Sequence, residues 1–222
     1  MVIAIITARK GSKRIRNKNI RLIKKKPIYY WSIRNLKRSG IFKKIIISTD
    51  HLKIIRNGKK YGADIMLKRT PELSKNNVKT IDVVKDAIKD LIKKGLRFNY
   101  ICCMYPTSPL TDPKDIKRSL KILKKNQSKF IFPVYQNKNY KNSNQFNIYQ
   151  KIKSVNYRRK LLINKYFYDA GQFYFSTKKN WLSKKDIIDK NNLILIKKNT
   201  ELRDINTQSD LNFVRKIFRN KK

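Results

Sequence analysis

Val2-Ile3-Ala4-Ile5-Ile6-Thr7 is an apolar run without polar alternation, bounded at once by a basic stretch. That pattern suits a short strand buried on both faces, as in a parallel sheet, more than a helix. The chain then enters Ala8–Asn19, a loop that carries Gly11, Ser12 and the cations Arg9, Lys10, Lys13, Arg14, Arg16 and Lys18. In open α/β sheets, ligands bind beyond the carboxyl ends of strands. Backbone N–H groups, a hydroxyl and clustered positive charge in such a place can hold a polyphosphate. The plain alternative is a solvated basic loop in a very basic protein.

That basicity calls for a reading of its own. Lys and Arg number 56 against 14 Asp and Glu, a formal net charge of +42. Charge of this size normally points to nucleic acid. Here Lys is spread over every segment, and Ile and Asn are abundant with it. All three residues share A/T-rich codons, so compositional drift accounts for them together. No specific nucleic-acid partner is therefore expected, only salt-sensitive attraction to polyanions. His51 is the sole histidine, which nearly excludes a histidine dyad or a histidine-based metal site. Cys102 and Cys103 are adjacent in an apolar stretch. Strand neighbours point to opposite faces, so two buried thiols are expected and not a disulfide. A hydrophobic content of 40% suits one folded domain spanning 1–222. No apolar run approaches the ~20 residues of a membrane span. The apolar run at the start precedes its basic residues, the reverse of a secretory leader. A cytoplasmic location and no membrane partner follow as expectations.

Further along, strands alternate with amphipathic helices. Pro27–Ser39 reads as a helix opening at Pro and closing at Gly40. Lys44–Ser48 is a second strand, followed by a helix to about Lys60 and a short strand at 64–67. Thr80–Lys94 has Ile81, Val84, Ala87, Ile88, Leu91 and Ile92 at helical spacing. Tyr100–Met104 is a central strand. Asp112-Pro113 caps and opens a helix to about Lys125, and Phe130–Val134 is another strand. Residues 135–167 lose this rhythm and read as an excursion, a flap or subunit contact. Tyr168–Ser176 and Leu193–Ile196 are strands, and Gln208–Phe218 a terminal helix. The order predicts a three-layer α/β/α Rossmann-like fold with a mostly parallel mixed sheet.

Five stretches, in order, resemble the acylneuraminate cytidylyltransferase family. They are Arg9–Ile15 with Lys18-Asn19, Ser48-Thr49-Asp50, Arg69–Ser74 with Thr80, Tyr105–Leu110, and Asp204–Thr207 with Asp210. The resemblance covers nearly the whole chain. It implies transfer of CMP from CTP to the anomeric hydroxyl of a nonulosonic acid, with release of pyrophosphate, for surface-glycan or flagellin glycosylation. Asp169-Ala170-Gly171-Gln172-Phe173-Tyr174 resembles the pseudaminic acid branch, as does the Cys102-Cys103 pair. Pro106–Leu110 is closer to the sialic and legionaminic types, which keeps those sugars as alternatives. A homodimer, with the excursion lying across the partner subunit, is implied by the family alone.

The resemblance also implies residue roles. Arg9, Lys13, Arg14 and Lys18 would neutralise the triphosphate, with Gly11 letting the backbone approach closely and Ser12 donating a hydrogen bond. Asn19, Arg69 and Thr80 would hold the nucleoside end, and Tyr105, Asp169 and Gln172 the sugar. Arg9, Lys18 and Asp204 are the expected catalytic residues, with Mg2+ on Asp204 and Asn206. Bland readings stand beside these. Ser12 could cap a turn, Thr80 could cap its helix, Tyr105 could pack, and Asp169 and Gln172 could be satisfied core groups. Asp210 is expected to support the last helix and not to bind metal. One departure matters: the family carries Asp where this chain has Asn206. An amide keeps an oxygen ligand and loses a charge. The substitution implies a higher demand for Mg2+ or, more severely, a weakened enzyme.

Overall fold

The computed structural model describes residues 1–127, 130–136, 167–188, 192–197 and 204–220. In chain order the elements begin with β1 (Val2–Thr7), a hairpin of β2 (Leu22–Ile23) and β3 (Lys26–Pro27), α1 (Ile28–Ser39) and β4 (Lys44–Thr49). There follow α2 (Leu52–Asn57), β5 (Ile65–Lys68), α3 (Thr80–Lys93), β6 (Tyr100–Met104), α4 (Pro113–Lys125) and β7 (Ile131–Gln136). The last are β8 (Phe167–Asp169), β9 (Phe173–Thr177), α5 (Lys178–Ser183), β10 (Leu193–Lys197) and α6 (Gln208–Asn220).

The sheet runs β10-β7-β9-β6-β1-β4-β5, with β8 also paired to β7. From β6 through β1 and β4 to β5 all pairings are parallel. Beyond β6 the direction reverses. β9 is antiparallel to both β6 and β7, β8 is antiparallel to β7, and β10 is parallel to β7. The fold is thus α/β, Rossmann-like, with a mixed sheet.

Period-two alternation divides the core. Ile3, Ile5, Ile101 and Cys103 face a layer that includes Val84, Leu91 and Trp181 from α3 and α5. Ala4, Ile6, Cys102 and Phe175 face Ile33 and Leu36 of α1 and Leu120 and Leu123 of α4. The two cysteines are free, buried and on opposite faces, as strand geometry requires. Burial pushes the Cys103 thiol up to about 12, which makes it inert at neutral pH. A third cluster packs α6, through Leu211 and Val214, against Ile23, Ile28 and Trp31.

The expected caps are present. Gly40 closes α1 at φ 71, and the Asp112 carboxylate accepts the Lys114 N–H ahead of α4. One expectation is refined and another corrected. The helix expected to reach about Lys60 is α-helical to Asn57 and continues through Gly58, still at φ -59 and ψ -41, into a 3-10 turn at Lys59–Tyr61. The single strand expected at 168–176 is two strands, broken at Ala170–Gln172 with Gly171 at φ 58. The 135–167 excursion lies outside the described residues except for its ends, in β7 and β8. Among the described residues no helix is long and apolar enough to cross a membrane.

Candidate active site

The carboxyl end of β1 is fixed by β4. The Ala8 N–H donates to the Ser48 carbonyl at 2.9 Å, and the Thr49 hydroxyl donates to the Ala8 carbonyl. The Lys10 N–H donates to Asp50 at 2.6 Å. The loop's far end returns through Asn17, at φ 56, to a 3-10 turn at Lys18–Ile20. There the Asn19 amide donates to the Arg9 carbonyl at 2.8 Å and closes the neck of the loop. Asn19 Oδ1 is buried and has no partner among the described residues. Arg69 is 5% exposed at the end of β5. Its Nε donates to Ser48 Oγ (3.2 Å) and its Nη2 to the Ser48 carbonyl (2.9 Å). Burial is the main cause that lowers its pKa.

The opposite wall comes from the break between β8 and β9 and from residues 204–207. Ser108 Oγ donates to the Gly171 carbonyl at 2.9 Å, and the Ile205 N–H to the Thr107 carbonyl at 3.1 Å. Lys18 Nζ reaches across to the Ile205 carbonyl at 2.6 Å, and Arg14 Nη2 to Asn206 Oδ1 at 3.0 Å. Thr207 and Asp210 form a capping box: each side chain accepts the other's backbone N–H, at 2.7 and 3.2 Å. Asp210 therefore supports α6, as expected.

Asp204 stands where these parts meet. Burial is the main cause that raises its pKa, to about 6, against the pull of Lys18 and of hydrogen bonds with Thr107 and Asn206. Its Oδ1 is buried with no partner among the described residues. Lys18 is shifted the other way, lowered first by burial and then, against the pull of Asp204, by Arg14 and Arg9. Gly171 packs on this carboxylate. A Cβ at Gly171 would lie 3.1 Å from Asp204 Cβ, on a backbone already at positive φ. Gly171→Ala is therefore expected to displace Asp204 and strain the turn. It should lower turnover about tenfold and stability by about 1–2 kcal/mol, measured by initial rates and thermal melting.

Between the walls is a cleft of about 280 Å³. Of the sequence-predicted residues, Arg9, Arg14, Lys18, Asn19, Arg69, Thr80, Tyr105, Asp204 and Asn206 line it. Asp169 and Gln172 sit behind its wall, with Asp169 bound by the Gly171 N–H and the Tyr174 hydroxyl. Gly11, Ser12 and Lys13 are not among the residues lining the cleft. Among the described residues, apart from its chain neighbours, nothing lies within 4 Å of a Cβ placed on Gly11. Thr80 does not cap its helix. Lys79 occupies the cap, and the Thr80 hydroxyl is 2.9 Å from that of Tyr105. Sequence reasoning missed Lys75, whose carbonyl accepts from Arg9 Nη1 at 3.2 Å, and Tyr174. A backbone acceptor leaves no sequence signal. Tyr174 was in view only as part of a motif.

Among the described residues no group of three or more His, Cys, Asp and Glu side chains is arranged to hold a metal ion. The cleft instead sets the cations Arg9, Arg14, Lys18, Arg69 and Lys75 against a single carboxylate. Cations gathered after the first strand of a Rossmann-like sheet, with one acid opposite, define a nucleotidyltransferase-type site. The whole chain agrees: residues 3–221 match the cytidylyltransferase family, and the chain belongs to it. It is a cytidylyltransferase.

Among its relatives is the pseudaminic acid cytidylyltransferase of Campylobacter jejuni, 33% identical over 98% of this chain and 96% of that one. The CMP-N,N'-diacetyllegionaminic acid synthase of Legionella pneumophila is 31% identical, over 55% of this chain and 53% of that one. Among solved structures, CMP:2-keto-3-deoxy-manno-octonic acid synthetase complexed with CTP shares the fold. Its TM-score is 0.74 at 13% identity, covering 100% of this chain and 99% of that one.

Proposed function

We propose that this enzyme transfers CMP from CTP to the anomeric hydroxyl of a nonulosonic acid, with pseudaminic acid favoured. The hydroxyl oxygen forms a bond to the α-phosphorus, the bond to the β-phosphate oxygen breaks, and pyrophosphate leaves. The observation that carries this reading is the gathering of Arg9, Arg14 and Lys18 with Asp204 in one cleft, whose lining has far more positive than negative charge. A tetra-anionic nucleotide complements such a cleft, and catalysis there is mostly positioning and charge neutralisation. Arg9, Arg14 and Lys18 take the triphosphate, and Gly11, Ser12 and Lys13 would close on it from the loop. Asn19, Arg69 and Thr80 take the nucleoside end. Tyr105, Asp169 and Gln172 shape the sugar side. The relationship to the Campylobacter enzyme supports pseudaminic acid. The Legionella relative and Pro106–Leu110 keep the legionaminic reading open as the second choice.

Asp204 suits Mg2+. Its buried Oδ1, without a partner among the described residues, is a hard oxygen donor, and Mg2+ is commonly held by one or two carboxylates plus substrate phosphates and water. When bound, the ion supplies charge neutralisation at the phosphates. Asn206 is a weaker ligand, since its oxygen already accepts from Arg14. Asn206→Asp is expected to lower the half-saturating Mg2+ concentration several-fold and to tighten Mn2+ binding measured by EPR. An unchanged Mg2+ dependence would remove Asn206 from the metal site.

The deciding experiment measures pyrophosphate release from CTP and Mg2+ with pseudaminic, legionaminic and N-acetylneuraminic acids separately. Release with pseudaminic acid alone is expected. Release with another sugar moves the branch, and release with none defeats the reading. The homodimer remains part of this proposal, and light scattering on the full chain tests it. The net charge of +42 is given no nucleic-acid role in it.

A further inference from the structure

From Arg9 to Lys18 every residue is exposed or half-buried except Ile15, which is 4% exposed. Its side chain belongs to one apolar cluster with Ile205, with Leu211 and Val214 of α6, and with Ile23, Ile28 and Trp31. The walls of that cluster are tied to one another without the loop. Phe218 of α6 packs on Trp31 of α1, with ring centroids 4.5 Å apart at 63°. Arg215 Nε donates to the Leu22 carbonyl at 3.1 Å, and Trp31 Nε1 to the Ile23 carbonyl at 3.2 Å. Ile15 therefore fills a socket that α1, the β2–β3 hairpin and α6 build among themselves.

The rest of the loop has weaker ties. Among the described residues, the backbone of 11–14 makes no hydrogen bond to other backbone groups. The Ile15 carbonyl accepts the Lys18 N–H at 3.2 Å and so leads into the turn that carries Lys18 and Asn19. Arg14 and Lys18 bind Asn206 Oδ1 and the Ile205 carbonyl, yet these are the cations assigned to the triphosphate. A bound polyanion competes for their N–H donors. It does not compete for an apolar side chain, whose burial is indifferent to charge.

We propose that Ile15 is a positioning residue of the nucleotide site: seated in the socket that α6 closes, it holds Arg14, its neighbour, and Lys18, one turn on, in the cleft. This rests on the reading of the cleft as the CTP site. A loop without its pin keeps all its charges but spreads them over many positions. The fraction of molecules ready for the nucleotide then falls, and the measured Kd rises by the reciprocal of that fraction. Bound nucleotide restores the seated loop, so turnover at saturation changes little. The last helix, far from the loop in sequence, thereby becomes part of the nucleotide site without touching the ligand.

The test uses Ile15→Ala, Ile15→Val, Val214→Ala and the double variant Ile15→Ala with Val214→Ala, all in the full chain. It measures Kd for CTP by titration calorimetry, kcat at saturating CTP, and Tm. Ile15→Ala is expected to weaken CTP binding about tenfold, with kcat at saturation within about twofold. Ile15→Val, which loses one methylene, should weaken it only about threefold. Val214→Ala loosens the socket from the α6 side and should also cost about threefold. Added to Ile15→Ala it should cost little more, because the pin is already gone. Should Ile15→Ala fail to fold, Ile15→Val carries the test and the same cycle. An Ile15 variant with lowered Tm and unchanged Kd overturns the proposal, as do losses that simply multiply in the double variant. A wild-type chain that does not bind CTP defeats the functional reading itself, whereas a wild type that binds CTP beside an Ile15 variant of equal Kd defeats this inference alone.

Discussion

Asp204→Asn is expected to reduce kcat by about a thousandfold or more while the protein stays folded. Asp204 is the only carboxylate among the residues lining the cleft, where five cations surround the space for a polyanion. The amide preserves shape and removes both the carboxylate proposed to hold Mg2+ and the charge that opposes the lowering of the Lys18 pKa. The effect on stability should be small. A carboxyl whose pKa is raised to about 6 is favoured in its protonated form by the fold, so its ionised form weighs against folding above that pH. Replacing it at neutral pH removes that burden, while Lys18 loses its counter-charge. A Tm within a few degrees of wild type, with turnover abolished, is the expected pair of results. Turnover near wild type would displace Asp204 from the catalytic site.

Lys18→Met is expected to lower kcat/KM for CTP by about a hundred- to a thousandfold, through the loss of a desolvated positive charge in the cleft proposed to take the triphosphate. Methionine keeps the length and apolar stem of the side chain. What it loses is the ammonium, held at 2.6 Å by the Ile205 carbonyl and set beside Asp204, Arg14 and Arg9. Lys18→Arg should not rescue activity, because a planar fork cannot occupy the place of a compact ammonium donating at 2.6 Å. Kinetics of pyrophosphate release, run beside thermal melting, check both variants. A Lys18→Met enzyme with nearly full kcat/KM would make Lys18 a structural tether for residues 204–206 and nothing more.

Much of this architecture was legible before any coordinates. The alternation of Val2–Thr7, Lys44–Ser48 and Tyr100–Met104 with amphipathic helices carries the α/β order, because burial on two faces and 3.6-residue spacing leave different imprints. What escaped was set by partners far away in sequence. The β2–β3 hairpin turns through Lys24 and Lys25 at φ 45 and 60, where glycine or asparagine is the usual signal. Helix α5 is short, and its start depends on the Thr177 side chain accepting the Asn180 N–H. The break at Ala170–Gln172 was signalled only by Gly171 between two strand-like runs; there the backbone takes φ 58, the Asp169 carboxylate accepts the Gly171 N–H, and the glycine packs on Asp204. At the site, the motifs gave Arg9, Arg14, Lys18, Arg69 and Asp204 and missed Lys75. They could not show that Asn206 is engaged by Arg14, or that Asp169 lies behind the wall.

The span of the Lys18–Ile205 contact also bears on the order in which the protein matures. Its partners are 187 residues apart, and those of Arg14–Asn206 are 192 apart. The cationic loop is made long before Asp204, the one carboxylate among the residues that line the cleft with it. A nascent chain with β1, β4 and β6 already paired would carry an open, unbalanced cluster of charge. It would attract any polyanion nearby, including the ribosome's own RNA. Specificity for a nucleotide would arrive only when residues 204–206 close over Lys18 and Arg14. Selectivity would then be acquired late, with long-range closure as the slow step.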